Sequence, residues 1–407
     1  MVIALRRSAP AALPVRSAVM QVVRDLDIGG AQETVRTLAA HLPRVGSPTL
    51  VCTFRDGPLR REIEALGVPV EVLPERRHSV LALPSFLAEM ARRRRDLLAL
   101  VERHRVGVIQ TQGLGTLDFL VMTLRRRGRL QVWWTIQNAN FLVRAEHLPG
   151  HRWLLRPKRT VHRLLYWLGA RVVDGIIAVS DESAASFRGS VGNVGRRITV
   201  VCNAVDVERY PAQVDREAMR HRLGLAPGEH AMTMVGTFKR QKGHRHLIEA
   251  TARVCARFPG LRLLLVGDGE LAGEIRAHVE AAGIADRVRF LGSRRDVPEI
   301  LAASDSFVLP SLWEGLPVAL VEAMASRLPV IATAVSGTSQ VMVHGETGWV
   351  VPRGNSDALA GAMVELLSDT ARAHAMAAAG RERVARSFSA VGQAQRLAQL
   401  FRERGAG

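Results

Sequence analysis

Residues 263–270 read Leu-Leu-Leu-Val-Gly-Asp-Gly-Glu, and this stretch decides the fold class. Its apolar residues do not alternate with polar ones, which is typical of a strand whose two faces are both covered by helices. Gly267 and Gly269 then end the run in a turn, and sequence of helical period follows. The stretch therefore predicts a βα unit of a parallel sheet.

The same unit repeats in both directions along the chain. One series of apolar runs precedes a polar stretch at residues 206–229, and a second series follows it. The first series predicts strands at residues 19–23, 49–54, 68–73, 106–111, 130–136, 175–179 and 198–201. The second predicts strands at residues 231–235, 261–266, 288–291, 306–309, 329–332 and 348–351. This pattern predicts an α/β protein with two doubly wound, Rossmann-like domains.

The domain boundaries follow from the two series. Residues 1–17 form a short arm, residues 18–206 the first domain and residues 207–386 the second. The last helical stretch could pack on either domain, and we assign residues 387–407 to a helix that crosses back to the first. The arm lacks the apolar segment of a secretion signal, and no apolar run approaches the roughly 20 residues that span a bilayer. We therefore expect a cytoplasmic protein whose membrane contact, where there is any, is peripheral.

The formal net charge is +18, and it is concentrated in one region. Residues 91–171 hold 17 Lys and Arg against four Asp and Glu. Such a field attracts phosphorylated lipids, anionic bilayers, acidic glycans or nucleic acid. Nucleic acid is not expected as a partner, because the basic stretch contains no recognised nucleic-acid-binding module. The cysteines, Cys52, Cys202 and Cys255, are widely spaced and predict neither a disulfide framework nor a metal site.

Ligands of open α/β sheets bind in the loops at the carboxyl ends of the strands, so these loops hold the candidate site. Gly29 and Gly30 follow the first strand and open a helix, where backbone N–H groups can approach an anion or a sugar. The first loop of the second domain brings Lys239, Arg240 and Lys242 to the start of another helix. Cations there oppose the helix dipole, so a negative ligand such as a diphosphate is expected beside them.

A third loop contains glycines at 267, 269 and 273. Their spacing does not match the G-x-G-x-x-G dinucleotide fingerprint, so a nicotinamide cofactor is not indicated. Gly267 still allows a nucleotide to approach the backbone closely. The alternatives for the first two loops are structural ones, namely a tight turn at Gly29-Gly30 and a solvated basic turn at residues 239–242.

The most informative loop is residues 310–325, Pro-Ser-Leu-Trp-Glu-Gly-Leu-Pro-Val-Ala-Leu-Val-Glu-Ala-Met-Ala. Pro317 fits the first turn of a helix, which puts Glu314 before the helix and Glu322 about one and a half turns inside it. Free N–H groups of residues 316–320 would form an anion site between the carboxylates. This order suits a sugar, a diphosphate and a ribose of one ligand, because carboxylates accept paired hydrogen bonds from vicinal diols. A glycosidase acid pair and two surface glutamates at a helix start are the alternatives.

The segment from Glu314 to Glu322 is Glu-x7-Glu, and it resembles the signature of the family-4 retaining glycosyltransferases of GT-B fold. Further motifs occur in the order of that family over residues 18–402. They are Gly29-Gly30-Ala31, Ala178-Val179-Ser180, Cys202-Asn203-Ala204-Val205-Asp206, Phe290-Leu291-Gly292, Asp296-Val297, His344-Gly345-Glu346-Thr347-Gly348 and Ser387-Phe388-Ser389. The resemblance implies a GT-B protein with an acceptor domain first and a nucleotide-sugar-binding domain second.

The resemblance also implies roles for matching positions. Lys242 and Glu314 would be the catalytic pair, the first holding the donor diphosphate and the second contacting the donor sugar. Glu322 would bind the ribose of the donor. The other donor-binding residues would be Gly29, Gly30, Thr237, Lys239, Arg240, Gly267, Gly315, Leu316, Val318 and, for the base, Phe290 and Leu291. Gln137 and Asn138 are expected on the acceptor side.

Four positions depart from the family pattern. Thr237 stands where arginine is usual, and one of the two cations at 239–240 is a candidate substitute. Gln112 and Gln137 stand where histidine is frequent, and Gln340 stands where glutamate is usual. These changes leave room for lower activity or for an inactive homologue.

The resemblance implies a retaining transfer from a nucleotide-sugar to a glycan or lipid-linked acceptor in cell-surface polysaccharide or glycolipid assembly. No residue is a clear nucleophile, and the family is described by a front-face route in which the departing diphosphate deprotonates the acceptor. Catalysis would then rest on stabilisation of the leaving group by Lys242 and a helix N-terminus. We expect a UDP- or GDP-linked donor, no cofactor and no metal. A GT-B sugar-nucleotide epimerase and a weakly active or inactive nucleotide-sugar-binding subunit are the alternatives.

Residues 152–167 interleave basic and apolar side chains. The apolar ones are Trp153, Leu154, Leu155, Leu164, Leu165 and Trp167, and the basic ones are Arg152, Arg156, Lys158, Arg159 and Arg163. This composition predicts an interfacial helix beside an anionic membrane surface. The alternative is a helix that buries its apolar face in its own domain.

Overall fold

The structure is a computed structural model that describes residues 18–74, 83–113, 115–126, 129–137, 155–192, 194 and 198–405. Within these residues the chain forms two all-parallel sheets with helices on both faces. The two sheets belong to two Rossmann-like domains that face each other, which is the GT-B architecture. No helix of the described part is both long and apolar enough to cross a membrane.

The first domain is built on a seven-stranded sheet. Its strands are β1 (Ala18–Asp25), β2 (Thr49–Arg55), β3 (Val70–Val72), β4 (Val106–Gln112), β5 (Gln131–Ile136), β6 (Gly175–Ala178) and β7 (Ile198–Val200), in the spatial order β3-β2-β1-β4-β5-β6-β7. Its helices are α1 (Gly30–His41), α2 (Leu59–Ala65), α3 (Leu83–Arg103), α4 (Thr116–Met122), α5 (Leu155–Val172) and α6 (Asp181–Val191).

The second domain is built on a six-stranded sheet. Its strands are β8 (His230–Val235), β9 (Leu261–Val266), β10 (Val288–Gly292), β11 (Ser306–Leu309), β12 (Val330–Thr333) and β13 (Trp349–Val351), in the order β10-β9-β8-β11-β12-β13. The helices that follow β7 are α7 (Arg216–Arg222), α8 (His244–Cys255), α9 (Ala272–Ala281), α10 (Val297–Ala303), α11 (Val318–Ala325), α12 (Thr338–Val341), α13 (Ser356–Ser368), α14 (Thr370–Ser387) and α15 (Ala390–Gly405).

The strand that decided the fold class is buried on both faces. Leu263 and Leu265 join the core beneath α8, whereas Leu264 joins a separate core with residues of α7 and α10. Successive side chains of a strand point to opposite faces, so an unbroken apolar run is required when both faces are covered. The thirteen predicted strands are all present, with ends that differ by no more than two residues.

Helix α7 was not predicted, because its sequence hides the helical period. It reads Arg-Glu-Ala-Met-Arg-His-Arg, and only Met219 and Arg220 are buried. Asp215 caps its N-terminus by accepting a hydrogen bond from the N–H of Ala218 at 3.0 Å. The polar stretch at residues 206–229 is therefore partly helical.

The last helix packs on the first domain. Leu397 and Phe401 of α15 join a core with Leu38 of α1 and Trp133 of β5, and the Phe401 and Trp133 rings meet edge-on at 5.4 Å. The chain crosses between the domains twice, and the two crossings lie side by side. Val205 donates to the carbonyl of Phe388 at 3.0 Å, and the N–H of Ala390 donates back to the carbonyl of Val205 at 2.9 Å. The two crossings thus form one hydrogen-bonded connection.

Candidate functional site

A cavity of about 310 Å³ lies between the two domains. It is lined by the loops that follow β1 and β5 on one side and β8, β9, β10 and β11 on the other. Parallel sheets place their ligands at this edge, and the volume falls in the roughly 300–1,000 Å³ range of small-molecule sites. This cavity is the candidate functional site.

Most of the residues that the sequence predicted for the site line the cavity. They are Gly29, Gly30, Gln137, Thr237, Lys242, Gly267, Glu314, Gly315, Leu316, Val318 and Glu322. The structure places four others outside the lining, namely Lys239, Arg240, Phe290 and Leu291. Asn138 lies outside the described residues.

The four residues outside the lining have a structural reason to be there. Lys239 and Arg240 are exposed at the start of a 3-10 turn, whose end brings Gln241 and Lys242 to the cavity. Phe290 belongs to β10, and its ring meets that of Phe238 edge-on at 6.2 Å beneath Arg276. The residues that line the cavity here come just after the strand, at 293–295.

The predicted catalytic pair forms a direct ion pair. Lys242 Nζ lies 2.7 Å from Glu314 Oε1, and the side chains are 16% and 7% exposed. Ser311 Oγ donates to the same carboxylate oxygen at 2.6 Å, and Gln241 Nε2 donates to Glu314 Oε2 at 3.2 Å. The sequence predicted that a ligand would offset the charge of Lys242. In the structure Glu314 offsets it, and three donors fix the carboxylate.

Helix α11 begins one residue later than the sequence predicted. Pro317 has an extended ψ of 99° and is the N-cap, so Val318 is the first helical residue. The backbone N–H groups of Gly315 and Leu316 donate no hydrogen bond to any residue that the structure describes. Those of Val318 and Ala319 belong to the first turn, where helices have no internal acceptors. A row of free donors therefore faces the cavity beside Glu314.

A second helix N-terminus meets this row from the first domain. Gly29 is the N-cap of α1 and Gly30 its first residue. A Cβ atom on Gly30 would lie 3.8 Å from Val318 Cγ2, so the two helix starts lie close together. The positive ends of two helix dipoles converge at one point of the cavity, which favours an anion there.

Two glycines allow the backbone to pack closely around this point. Gly267 has a φ of +142°, and a Cβ on it would lie 2.0 Å from the carbonyl oxygen of Gly236. Gly337 has a φ of +76°, and its Cβ would lie 2.3 Å from the carbonyl oxygen of Gly315. Side chains are excluded at both positions by conformation and by space. Gly337 thus allows close packing against the loop that carries the free N–H groups, and Gly267 allows it against the start of the loop after β8.

Glu322 lies in a cluster that joins the two domains. Tyr210 OH donates to Glu322 Oε1 at 3.0 Å, and Arg209 Nη1 lies 3.3 Å from Glu33 Oε1. Burial and, to a smaller extent, the nearby carboxylate of Glu33 raise the pKa of Glu322 to about 8, against smaller opposing effects of the Tyr210 hydrogen bond and of Arg209 and Arg36. The raised pKa shifts Glu322 toward its protonated form near neutral pH.

The side chains that line the cavity are close to electrically balanced. Each lining cation has a carboxylate partner in the described structure. The pairs are Lys242 with Glu314 at 2.7 Å, Arg209 with Glu33 at 3.3 Å, Arg294 with Asp296 at 2.6 Å and Arg295 with Glu62 at 3.9 Å. Attraction for an anion therefore comes mainly from the two helix N-termini and the free N–H groups. The sequence missed Arg209, Arg294 and Arg295, although the Asp296-Val297 motif lies next to two of them.

Comparison with known proteins gives the family. Residues 28–209 match the model described as Glycosyltransferase Family 4, and residues 215–383 match the model described as Glycosyl transferases group 1. The chain belongs to the family-4 glycosyltransferases. The two matches fall on the two domains and together include most of the cavity lining.

Individual relatives fit this assignment. The chain is 30% identical over 209 residues to UDP-Gal:alpha-D-GlcNAc-diphosphoundecaprenol alpha-1,3-galactosyltransferase of Escherichia coli, over 50% of this chain and 54% of that protein. It is 27% identical over 403 residues to D-inositol 3-phosphate glycosyltransferase of Corynebacterium urealyticum, over 92% and 91%. The chain spans between 50% and 66% of the length of the first four curated relatives.

A solved structure shows the same fold. The crystal structure of HepE from Anabaena in complex with UDP-glucose superposes with a TM-score of 0.79 at 22% identity, over 95% of this chain and 99% of that one. At this identity the likeness concerns the fold alone. It agrees with the two facing parallel sheets described above.

Within the candidate site, the departures at Gln112 and Gln137 form one hydrogen-bonded structure. They belong to a chain of amide side chains in which each amide donates to the next. The bonds run from Asn203 Nδ2 to Gln137 Oε1 (3.0 Å), Gln137 Nε2 to Gln112 Oε1 (2.7 Å), Gln112 Nε2 to Gln21 Oε1 (2.8 Å), Gln21 Nε2 to Gln110 Oε1 (2.8 Å) and Gln110 Nε2 to Thr135 Oγ1 (2.9 Å). Gln137 and Asn203 line the cavity, so the part of the cavity wall that they form is uncharged and hydrogen-bonded in one direction.

The departure from the family pattern at Gln340 lies outside the cavity, in a contact between the two domains. Gln340 Nε2 donates to Asp181 Oδ2 at 2.9 Å, and Gln340 Oε1 accepts from the backbone N–H of Asp181 at 3.2 Å. These bonds connect α12 of the second domain to the start of α6 of the first. A glutamate at 340 would set a second carboxylate against Asp181, so glutamine suits this contact. Gln340 does not line the cavity.

Proposed function

We propose that the protein is a retaining glycosyltransferase that moves a sugar from a UDP-linked donor to a glycan or lipid-linked acceptor in cell-surface polysaccharide or glycolipid assembly. The observation that carries the proposal is the Lys242–Glu314 ion pair beside the converging N-termini of α1 and α11. One cation, one fixed carboxylate and a row of free N–H groups match the diphosphate and sugar of such a donor.

The arrangement supports an exchange of partners when the donor binds. A diphosphate oxygen replaces Glu314 as the partner of Lys242, which leaves the Glu314 carboxylate to accept hydrogen bonds from donor-sugar hydroxyls. Ser311 and Gln241 keep the carboxylate in place during the exchange. Glu322 lines the cavity, and we propose that it binds the ribose. Arg294 and Arg295 also line the cavity just after β10, where the base is expected.

In the proposed transfer, the bond between the anomeric carbon and the diphosphate oxygen breaks. The acceptor hydroxyl oxygen forms the new bond on the same face, and its proton passes to the departing diphosphate. Lys242 and the free N–H groups of residues 315–319 stabilise the charge that develops on the leaving group. We propose that these groups suffice without a metal ion or cofactor, so that a chelator leaves the rate unchanged.

The proposal for donor and acceptor draws on the relatives. The name of the Escherichia coli relative specifies a UDP-linked donor and a diphosphoundecaprenol-linked acceptor, and the Anabaena structure contains UDP-glucose. The high positive charge of residues 91–171 is consistent with an acceptor that carries phosphate. We propose a lipid-linked acceptor and a peripheral position of the protein on the cytoplasmic face of a membrane.

The test is a transfer assay with UDP- and GDP-sugars and lipid-linked acceptors. We expect transfer with a UDP-sugar, and retained anomeric configuration in the NMR spectrum of the product. Glu314→Ala is expected to abolish transfer, whereas Lys239→Ala, outside the cavity, is expected to keep it. Conversion of the donor in the absence of any acceptor would identify an epimerase instead. UDP-sugar binding with no transfer to any acceptor would identify a binding subunit.

A further inference from the structure

Helix α5 turns a stripe of large apolar side chains toward solvent. The stripe consists of Val161, Leu164, Leu165, Leu168 and Val172, which are each between 41% and 57% exposed. Their spacing of three, four, seven and eleven residues puts them on one face of a helix. With Trp167, this helix holds six of the eleven large apolar residues that are exposed in the described part of the chain. Isolated exposed leucines are ordinary, but a continuous stripe marks an interaction surface.

The opposite face of α5 is already committed to the domain core. Tyr166 and Ala170 are buried, and the Tyr166 ring meets that of Trp134 edge-on at 5.5 Å. A Cβ on Gly169 would lie 2.2 Å from Trp134 Cη2, so the helix packs closely on the sheet here and leaves no space for a side chain. The helix therefore cannot rotate to bury the stripe without losing this packing. The alternative from the sequence was that the helix buries its apolar face in its own domain. It does not hold for Leu164, Leu165 and Trp167, which are exposed.

The positive charge around the stripe indicates which class of partner could cover it. Arg163 and Arg171 of α5 are exposed, and Arg171 stacks over the Trp167 ring at 3.3 Å. Arg126 and Arg129 are exposed near the end of α5, where Arg125 pairs with Asp174. A second copy of this chain would bring the same cations against them, and nucleic acid would leave the apolar stripe in water. An anionic lipid surface satisfies both the charge and the apolar side chains.

We propose that the exposed face of α5 docks the protein onto an anionic bilayer. The stripe enters the boundary between headgroups and acyl chains, and the surrounding arginines contact the anionic headgroups. This inference rests on the proposed function for its purpose, since it would bring the enzyme to a lipid-linked acceptor. The docking itself needs only the apolar stripe and the arginines around it.

The topology relates this surface to the cavity. In a βα unit the helix that follows a strand starts at the carboxyl end of that strand. Helix α5 follows β5 in the chain. Gln137, the residue directly after the end of β5, lines the cavity. The N-terminal part of α5, with Val161, therefore lies toward the cleft end of the sheet. Docking through α5 would place the acceptor side of the cleft at the membrane surface.

The experiment is vesicle co-sedimentation of the full chain. We expect binding to vesicles of phosphatidylcholine with phosphatidylglycerol, weak binding to phosphatidylcholine alone, and a decline with added NaCl. The double variant Leu164→Glu with Leu168→Glu is expected to lower the partition coefficient by about ten-fold or more. The double variant Leu66→Glu with Val391→Glu adds the same charge at exposed positions in the α2–β3 turn and in α15, and it is expected to bind as the wild type does.

Two further measurements give each outcome a meaning. Leu164→Ser with Leu168→Ser is expected to weaken binding without changing the charge, and a thermal melt of each variant checks folding. Equal binding of the α5 and control variants would overturn the proposal, as would a wild-type dimer that only the α5 variants disperse. UDP binding is measured in parallel. Wild-type protein that binds UDP but no anionic vesicle would refute docking and leave the proposed function standing. Wild-type protein that binds vesicles but no UDP would support docking and contradict the proposed function.

Discussion

Two parts of the cavity wall, one from each domain, are built from different chemistry. On the side of the second domain, Lys242, Glu314 and their neighbours form a charged cluster held by short hydrogen bonds. On the side of the first domain, the chain of amides from Asn203 to Gln110 is neutral throughout. The helix N-termini of α1 and α11 meet between the two walls.

This difference suits the two parts of the wall to different ligands, the charged part to a diphosphate and the neutral part to sugar hydroxyls. A charged wall exchanges its ion pair for a diphosphate, because both partners keep a charge-assisted hydrogen bond after the exchange. A neutral amide wall offers donors and acceptors to sugar hydroxyls without attracting a second anion. The comparison predicts that damage to the charged wall affects donor binding, and that damage to the amide wall affects stability and acceptor use.

The largest effect is expected at Lys242. Lys242→Ala removes the cation that stabilises the leaving group and leaves the buried Glu314 carboxylate without its partner. We expect kcat/KM for the donor to fall by about 10²–10³-fold, the scale of losing one electrostatic contact to the transition state. The measurement is steady-state transfer from the UDP-sugar. Lys239→Ala is the matched control, and an equal loss in that variant would place the diphosphate elsewhere.

The next effect concerns the pH dependence of stability. Because burial raises the pKa of Glu322 to about 8, the folded protein holds a proton there that the unfolded chain, with a carboxyl pKa near 4.5, has lost. Stability from this group is therefore present below pH 4.5 and declines as pH rises toward 8. Relative to Glu322→Gln, which does not titrate, the wild type is expected to lose about 2–3 kcal/mol of unfolding free energy between pH 6 and pH 8.

Denaturant unfolding of both proteins across this pH range gives the comparison. Groups that titrate in both proteins cancel in the difference between them. A difference that stays constant from pH 5 to pH 9 would show that Glu322 is ionised throughout, and that the cluster with Tyr210 and Arg209 tolerates its charge.

The amide wall is tested by Gln112→Leu. This change leaves Gln21 Oε1 without a donor and Gln137 Nε2 without an acceptor in a buried place. We expect a loss of about 2 kcal/mol of stability, since an unsatisfied buried polar group costs about 1–3 kcal/mol. We also expect a higher KM for the acceptor and an unchanged Kd for UDP. Gln399→Leu, an exposed glutamine on α15, is the control, and weaker UDP binding in Gln112→Leu would remove the distinction between the walls.

The smallest effect is expected at the contact that joins the walls outside the cavity. Gln340→Glu sets a second carboxylate against that of Asp181 at a partly solvated place, so we expect a loss of about 0.5–1 kcal/mol of stability. The added change Asp181→Asn restores a donor and should recover the loss. A double-mutant cycle by thermal unfolding measures this coupling. A coupling energy near zero would mean that the bridge does not hold the domains together.

Much of this molecule could be predicted from local sequence. Unbroken apolar runs located the strands, since a strand covered on both faces needs apolar residues at every position. The loop residues Gly30, Lys242 and Glu314 were found because parallel strands bring their carboxyl ends to one edge. Helix α7 and the exact start of α11 were missed, because a polar helix and a proline N-cap give weak local signals.

Only the tertiary structure decided how these parts meet. Lys242 and Glu314 are 72 residues apart and the amides of the neutral wall come from distant strands, so no local spacing reveals their hydrogen bonds. The sequence of α5 showed that apolar and basic side chains are interleaved, but not which side of the helix faces the core. The close contact of Gly169 with Trp134 settled that question and left the leucine stripe outside. Sequence determines which groups are available, whereas packing over long range determines which of them are buried, paired or left to face a partner.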